Sequence, residues 1–316
     1  MHGHAFIGEI GRSRGGSRGL AYPAAVRMFE ALFGGGLADV EVGAILMALR
    51  IKGESLDEIR AGLDVLEPLL RRVPVDAERP VVSIASYRGA RRSANLVPLF
   101  ACLLSAAGVQ VVIHGVTGDP ERTTTAEILQ AMGLGATGAP DAAADALARG
   151  DPAFVSAATL SPRLAALLDL RRLLGVRNVG HTLANLLNPT DAPACLRIAC
   201  AAAPGSGRLQ HEYFEATGRP ALLLPGTEGE AVAGVHGAER IDWVHDGASH
   251  TLVDADPGPA GDAPVLPDPL DAPATARWVQ SVLAGERPVP EPIERQVGAA
   301  LRAVGVHGRP LAAIAA

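Results

Sequence analysis

Two short apolar runs, Val81–Ala85 and Val109–Ile113, flank a helix-length segment, Asn95–Ala107. This spacing predicts a strand, a helix and a second strand parallel to the first. In such units ligands gather beyond the carboxyl ends of the strands. Two loops are expected to leave those ends: Ser86–Ser93, reading SYRGARRS, and His114–Pro120, reading HGVTGDP. Thr124 and Glu127 then have capping-box spacing and open a further helix.

Upstream the period is helical. Val42, Ile45, Leu46 and Leu49 fall on one face, with Asp39 placed as an N-cap and Gly53 as a stop. Ser55 and Glu58 form a capping box for the next helix, which turns Leu56, Ile59, Leu63 and Leu66 inward. Residues 1–73 thus read as a small helical domain, and 74–79 as a hinge bounded by prolines. Residues 80–160 and 190–316 read as a larger α/β domain. Phe154–Ala158, Cys195–Ala201 and Ala221–Leu224 have strand character, and a helix is expected near Arg208–Ala216. Ser161-Pro162 should start a helix running to Leu174, and Asn178 should cap another running to Leu187. The pattern from Val232 to Asp254 is short and β-like, Gly258–Pro269 is loop, and helices over Pro273–Ala284 and Pro290–Val304 close the chain. The expected class is α/β with a separate α-helical subdomain and a central, mainly parallel sheet.

Composition narrows the function classes. The chain has 316 residues, 48% of them hydrophobic, enough to bury the cores of two domains. Aromatics make up only 3%, so those cores must rest on Ala, Leu and Val. Cys102, Cys195 and Cys200 lie in apolar surroundings and read as buried thiols of a cytoplasmic protein. No apolar run reaches membrane-spanning length, and the first residues lack the apolar core of a signal peptide. A net charge of −6 excludes a uniformly basic nucleic-acid binder but leaves room for a local basic groove. Lys52 is the only lysine. Arg12, Arg14 and Arg18, set among Gly and Ser, read equally as a solvated loop or as a phosphate-contacting arm.

Val42–Gly62, VGAILMALRIKGESLDEIRAG, resembles the helical domain of the anthranilate phosphoribosyltransferase and class II nucleoside phosphorylase group, glycosyltransferase family 3. The likeness continues through AGVQVVIHG, AEILQAMG, LGVRNVGHTLANLLNP and WVQSVLAGE. It implies an active site between a small helical and a larger α/β domain, helices from about 161–188 joining the small one, and a homodimer made through the helical domains. The family's phosphate loop, GTGGD followed by NxST, corresponds here to Ser86-Tyr87-Arg88-Gly89-Ala90 and Asn95-Leu96-Val97-Pro98. Its KHGN becomes Ile113-His114-Gly115-Val116, and its Asp-Glu magnesium pair is not intact, with Glu228 and Glu230 of GTEGEAV the nearby metal candidates. These departures, with SYRGARRSANL, RTTTAEI and GVRNVGHTLA, resemble the YbiB-type branch, which keeps the fold and is a nucleic-acid-binding group.

That resemblance implies a catalytically degenerate homodimer that binds nucleic acid, single strands preferred, with no catalytic residues and no cofactor. The expected anion-binding set is Arg88, Arg91, Arg92, Arg171, Arg172, Arg177 and Lys52, and Gly89, Asn95, His114 and Gly115 are the remnant phosphate site. Solvated surface charge is the bland alternative for the arginines, a helix-dipole role for Lys52, and a structural role for His114 and His181. Tyr87 is the one aromatic beside the basic loop, so binding should rest on phosphates with little sequence preference. The acidic stretch Asp254–Asp271 must then lie away from that loop. The alternative is a pentosyltransferase of altered substrate, which would use magnesium and rest on Asn95, His114 and Gly115.

Overall fold

The computed structural model describes residues 3–11, 19–200, 206–256 and 265–306. Arg12, Arg14 and Arg18 lie outside the described residues. In chain order the elements are α1 (His4–Ile10), α2 (Tyr22–Gly34), α3 (Asp39–Lys52), α4 (Leu56–Leu66), β1 (Val81–Ser86), α5 (Val97–Ala106) and β2 (Gln110–Gly115). There follow α6 (Thr125–Ala131), α7 (Pro140–Arg149), β3 (Ala153–Ser156), α8 (Ala157–Leu160), α9 (Pro162–Asp169), α10 (Arg171–Leu174) and α11 (Val179–Leu186). The remainder is β4 (Leu196–Cys200), α12 (Ser206–Thr217), β5 (Ala221–Leu224), β6 (Ile241–His245), β7 (Ala248–Val253), α13 (Ala272–Leu283) and α14 (Glu291–Ala303). Residues 1–71 with 160–187 form one compact unit, and 72–159 with 188–316 form a second. No helix among the described residues is long and apolar enough to cross a membrane.

In the helical unit α2 packs along α4, α11 packs on α4 and α9, and α1 lies against α3. Phe29, Phe33, Leu46, Leu49, Ile59, Leu63 and Leu183 are fully or almost fully buried there. Glu58 is also fully buried and ties three segments together. Its carboxylate accepts the Leu20 N–H (2.9 Å), the Ser55 N–H (2.8 Å) and the Lys52 ammonium (2.7 Å). The Ser55–Glu58 capping box is therefore real and does more than cap. Asp39 is not the cap of α3 but its first residue. Ala38 holds the cap position and donates its N–H to Glu41 (3.0 Å). The helix expected over 162–174 is interrupted at Leu170, giving α9 and the short α10.

The second unit is built on a seven-stranded sheet of order β3-β2-β1-β4-β5-β6-β7. The first five strands are parallel, while β6 and β7 are added antiparallel. Helix α5 is buried along most of its length against the sheet, with Val97, Leu99, Phe100, Leu103 and Leu104 in the same core as Val82, Ile84, Val111 and Ile113. Both faces of β1 and β2 are covered, which is why their sequences run apolar without alternation. His114 and Gly115 belong to β2, not to the loop after it, and pair with Ala85 and Ser86. A Cβ on Gly115 would lie 1.7 Å from the Ser86 carbonyl oxygen, so this crossing of backbones admits only glycine.

Two histidines are shut inside these units. His114 is 1% exposed in the sheet and sits 2.9 Å from the Tyr87 hydroxyl. His181 caps its own helix by accepting the Asn178 N–H at 3.3 Å. Burial, reinforced by Arg197 for His114 and by Arg177 and Arg171 for His181, pushes each down to about 3. Both are neutral when folded and take up a proton near pH 6.5 when unfolded, so their contribution is complete above pH 6.5 and is lost as the pH falls toward 3. We expect stability to decline by about 1.4 kcal/mol per pH unit for each histidine once the pH is well below 6.5. Urea midpoints between pH 7.5 and 5 measure this; a profile with no decline below pH 6.5 would contradict it, and His114→Gln should remove one histidine's share of the slope.

Candidate functional site

The order of the sheet locates the site. The chain leaves β1 outward to β2 and β3, then returns to β4 on the other side, so the switch point lies between β1 and β4. The loop after β1, residues 87–96, opens there. It is pinned on one side by a two-way bridge between Ala90 and Thr123 (3.1 and 2.9 Å). Gly89 makes that bridge possible: it has φ +71°, and a Cβ would stand 2.9 Å from the Thr123 carbonyl oxygen.

On its other side the loop meets the tight turn Thr227–Glu230, which follows β5. Glu230 is fully buried. Its Oε1 accepts the N–H groups of Arg88 (2.8 Å) and Gly89 (2.6 Å), and its Oε2 lies 2.5 Å from the Ser86 hydroxyl. Ser86 has one proton, which goes to the carboxylate; it accepts in turn from Thr125 Oγ1 at 2.8 Å, and Thr125 accepts from Asn95 Nδ2 at 3.0 Å. Glu228 takes the next stretch of backbone. Its Oε1 accepts from Arg92 (2.6 Å), Ser93 (2.8 Å) and Arg91 (3.2 Å), and its Oε2 faces Arg122 Nη1 at 3.3 Å. Burial pushes the Glu228 carboxyl up, but the N–H groups of Arg92, Arg91 and Ser93 and the Arg122 charge outweigh it and leave the group below its ordinary value. The two acids expected as metal candidates thus fill a cradle of backbone donors.

The remnant residues have structural partners. Asn95 bonds Thr125 and accepts the Val97 N–H (3.2 Å), starting α5. His114 is held by Tyr87 in a buried pair, and burial also raises the Tyr87 hydroxyl above its usual range. Tyr87 is 3% exposed and has no free face for a base. Residue types alone did not single out Arg122, which donates to the Gly89 carbonyl (3.1 Å) and pairs with Glu228.

The arginines separate into groups. Arg91 and Arg92 are exposed, and Arg91 stands 3.8 Å from the exposed Glu121. Arg88 is half-buried, its Cδ 2.6 Å from where a Cβ on Gly229 would sit. In the helical unit Arg172 is exposed, while Arg171 and Arg177 are half-buried near His181. The side chain of Lys52 is 8% exposed and has its charge matched by Glu58. Of the acidic stretch, one backbone group reaches the support of the loop: the Leu270 carbonyl accepts the Thr123 hydroxyl at 2.8 Å. Asp271 is engaged in capping α13, accepting the Ala274 N–H at 2.7 Å.

Residues 13–66 match the helical bundle domain of the glycosyl transferase family. Over 300 residues the chain is 34% identical to the uncharacterized protein YbiB of Escherichia coli (strain K12), covering 95% of this chain and 93% of that one. It is 33% identical over 158 residues to the anthranilate phosphoribosyltransferase of Anaeromyxobacter sp. (strain Fw109-5), a match spanning 50% of this chain and 47% of that enzyme. In fold it is similar to the anthranilate phosphoribosyltransferase (TrpD) of Thermus thermophilus, with a TM-score of 0.74 at 24% identity over 94% of this chain and 90% of that one. It is equally similar to the Saccharomyces cerevisiae enzyme in complex with PRPP and Mg, with a TM-score of 0.74 at 12% identity over 99% and 91%. A small helical domain joined to an α/β domain with a mainly parallel sheet, together with near full-length identity to YbiB, makes this chain a member of the glycosyltransferase family 3 group with the anthranilate phosphoribosyltransferase fold, in its YbiB-type branch.

Proposed function

We propose that this chain is a catalytically degenerate family member that binds nucleic acid, single strands in preference, as a homodimer. The observation that carries the first part is the occupation of the Arg88, Gly89, Arg91, Arg92 and Ser93 N–H groups by Glu228 and Glu230. A phosphoribosyl diphosphate would need those N–H groups, and the two carboxylates set negative charge where its own would go. The reading takes no magnesium, because the carboxylate oxygens of this pair already accept from N–H and O–H donors and do not fit a cation. Asn95, His114 and Gly115 each have a structural task, so they lend the pentosyltransferase alternative no support.

Nucleic-acid binding rests on Arg91 and Arg92, whose backbone is held from behind while their side chains remain exposed. Glu121, 3.8 Å from Arg91, confines the attraction to these guanidiniums, so the loop offers about two phosphate contacts and no broad basic field. The dimer is supported by a stripe on α3: Val40 and Ile51 are 78% and 80% exposed, and Ala44 and Met47 lie between them at helical spacing.

Three outcomes are expected. Pure protein releases no diphosphate from phosphoribosyl diphosphate and anthranilate; measurable anthranilate-dependent release would end the degenerate reading. Light scattering at micromolar concentration gives a dimer that Ile51→Glu converts to monomer; a wild-type monomer would count against the interface. Arg91→Ala/Arg92→Ala weakens binding of a labelled single-stranded oligonucleotide for all sequences alike and lowers the salt slope by about 1.4 for each loop engaged. A folded double variant with unchanged affinity and slope would take this loop out of the binding surface.

A further inference from the structure

The two carboxylates in the cradle are not equivalent. Glu230 is fully buried and continuous with the Ser86–Thr125–Asn95 network, so it belongs to the core. Glu228 keeps about a fifth of its side chain in solvent (20%). Its backbone is left-handed, φ +52°, at the tip of a turn in which Gly229 has φ +94° and Thr227 and Glu230 exchange backbone bonds (3.1 and 2.9 Å). A non-glycine residue seldom adopts that conformation unless something holds it there. Here the side chain is held, and its contacts form an anion site: three consecutive N–H groups converge on one oxygen with a guanidinium behind the other.

The fit is incomplete. Arg92 and Ser93 make short bonds to Oε1, whereas the Arg91 N–H is shared between both oxygens at 3.2 Å each. A planar carboxylate has two oxygens for four donors. A tetrahedral oxyanion has more, and could give Arg91 and Arg122 an oxygen each. We propose that Glu228 is a built-in anion that keeps a receptor for a phosphate group shut, the receptor being the Arg91–Ser93 N–H groups with Arg122, and that the receptor opens when this one side chain swings out. The backbone need not move, because the Ala90–Thr123 bridge and the Glu230 bonds hold the loop independently of Glu228. The lowered carboxyl of Glu228, despite its partial burial, agrees with a site that favours negative charge. This inference rests on the degenerate-cradle reading and adds that the block is removable at one residue.

The test uses the full chain and inorganic phosphate. Glu228→Gly removes the anion and suits the left-handed backbone; Glu228→Asn also tolerates that backbone, with a side chain too short to reach the three donors. Isothermal titration should show both variants binding phosphate at least about tenfold more tightly than wild type. Adding Arg122→Ala to Glu228→Gly should abolish the gain. Glu121→Ala, which removes a neighbouring acid that does not touch the donors, should give none. Variants that keep the wild-type circular dichroism yet bind phosphate no more tightly would overturn the inference. So would a gain that survives Arg122→Ala, or an equal gain in Glu121→Ala. The result is separable from the parent reading, since diphosphate release and oligonucleotide binding are measured on protein that retains Glu228.

Discussion

A carboxylate taken wholly out of water is tolerable only if donors converge on it, and Glu230 meets that demand with parts of the chain about 140 residues away in sequence. It collects the Ser86 hydroxyl at the end of β1 and the Arg88 and Gly89 N–H groups of the loop beyond it. Through Ser86 it reaches Thr125 at the start of α6 and Asn95 before α5. The end of one central strand, the turn after another and two helix starts are thereby fixed to a single group. The rest of the site is placed by that fixation: Glu228 projects from the same turn, and the loop arginines are held by the same backbone.

The charge of the site follows from this arrangement. Arg91 pairs with Glu121 and Arg122 with Glu228, while Glu228 and Glu230 also sit against the backbone that carries Arg88 and Arg92. Close pairs of opposite sign largely cancel at a distance, and salt removes much of what remains. Such a surface grips a ligand through donors in contact with it and draws little from afar. The net charge of −6 points the same way.

The fold could be read because its signals are local. Strands covered on both faces appear as unbroken apolar runs, and Ser55–Glu58 and Thr124–Glu127 are complete in four residues each. Helix α7 was hidden in an Ala- and Asp-rich stretch with little apolar content, although Pro140 at its start and the left-handed Gly150 at its end carry the usual punctuation. The end of β2 looked like loop because His and Gly seldom read as strand, yet Gly115 is there for the approach of Ser86. The cradle could not be read, because no pattern near Glu228 records that residues 91–93 will stand against it. From residue type alone the two acids suggest a cation, whereas their partners are N–H groups.

The burial of Lys52 against Glu58 has a consequence for how the surface can be addressed chemically. As the only lysine, it is the one ε-amine in the chain, and in the folded protein it is withdrawn from reagents. Acyl transfer to side-chain nitrogen, whether by an enzyme or by an activated ester, therefore has almost no target here. The permanent positive side-chain charge open to solvent is guanidinium, a group that acetylation cannot erase. Whatever adjusts the affinity of this surface for anions must act on its acids or on its arginines.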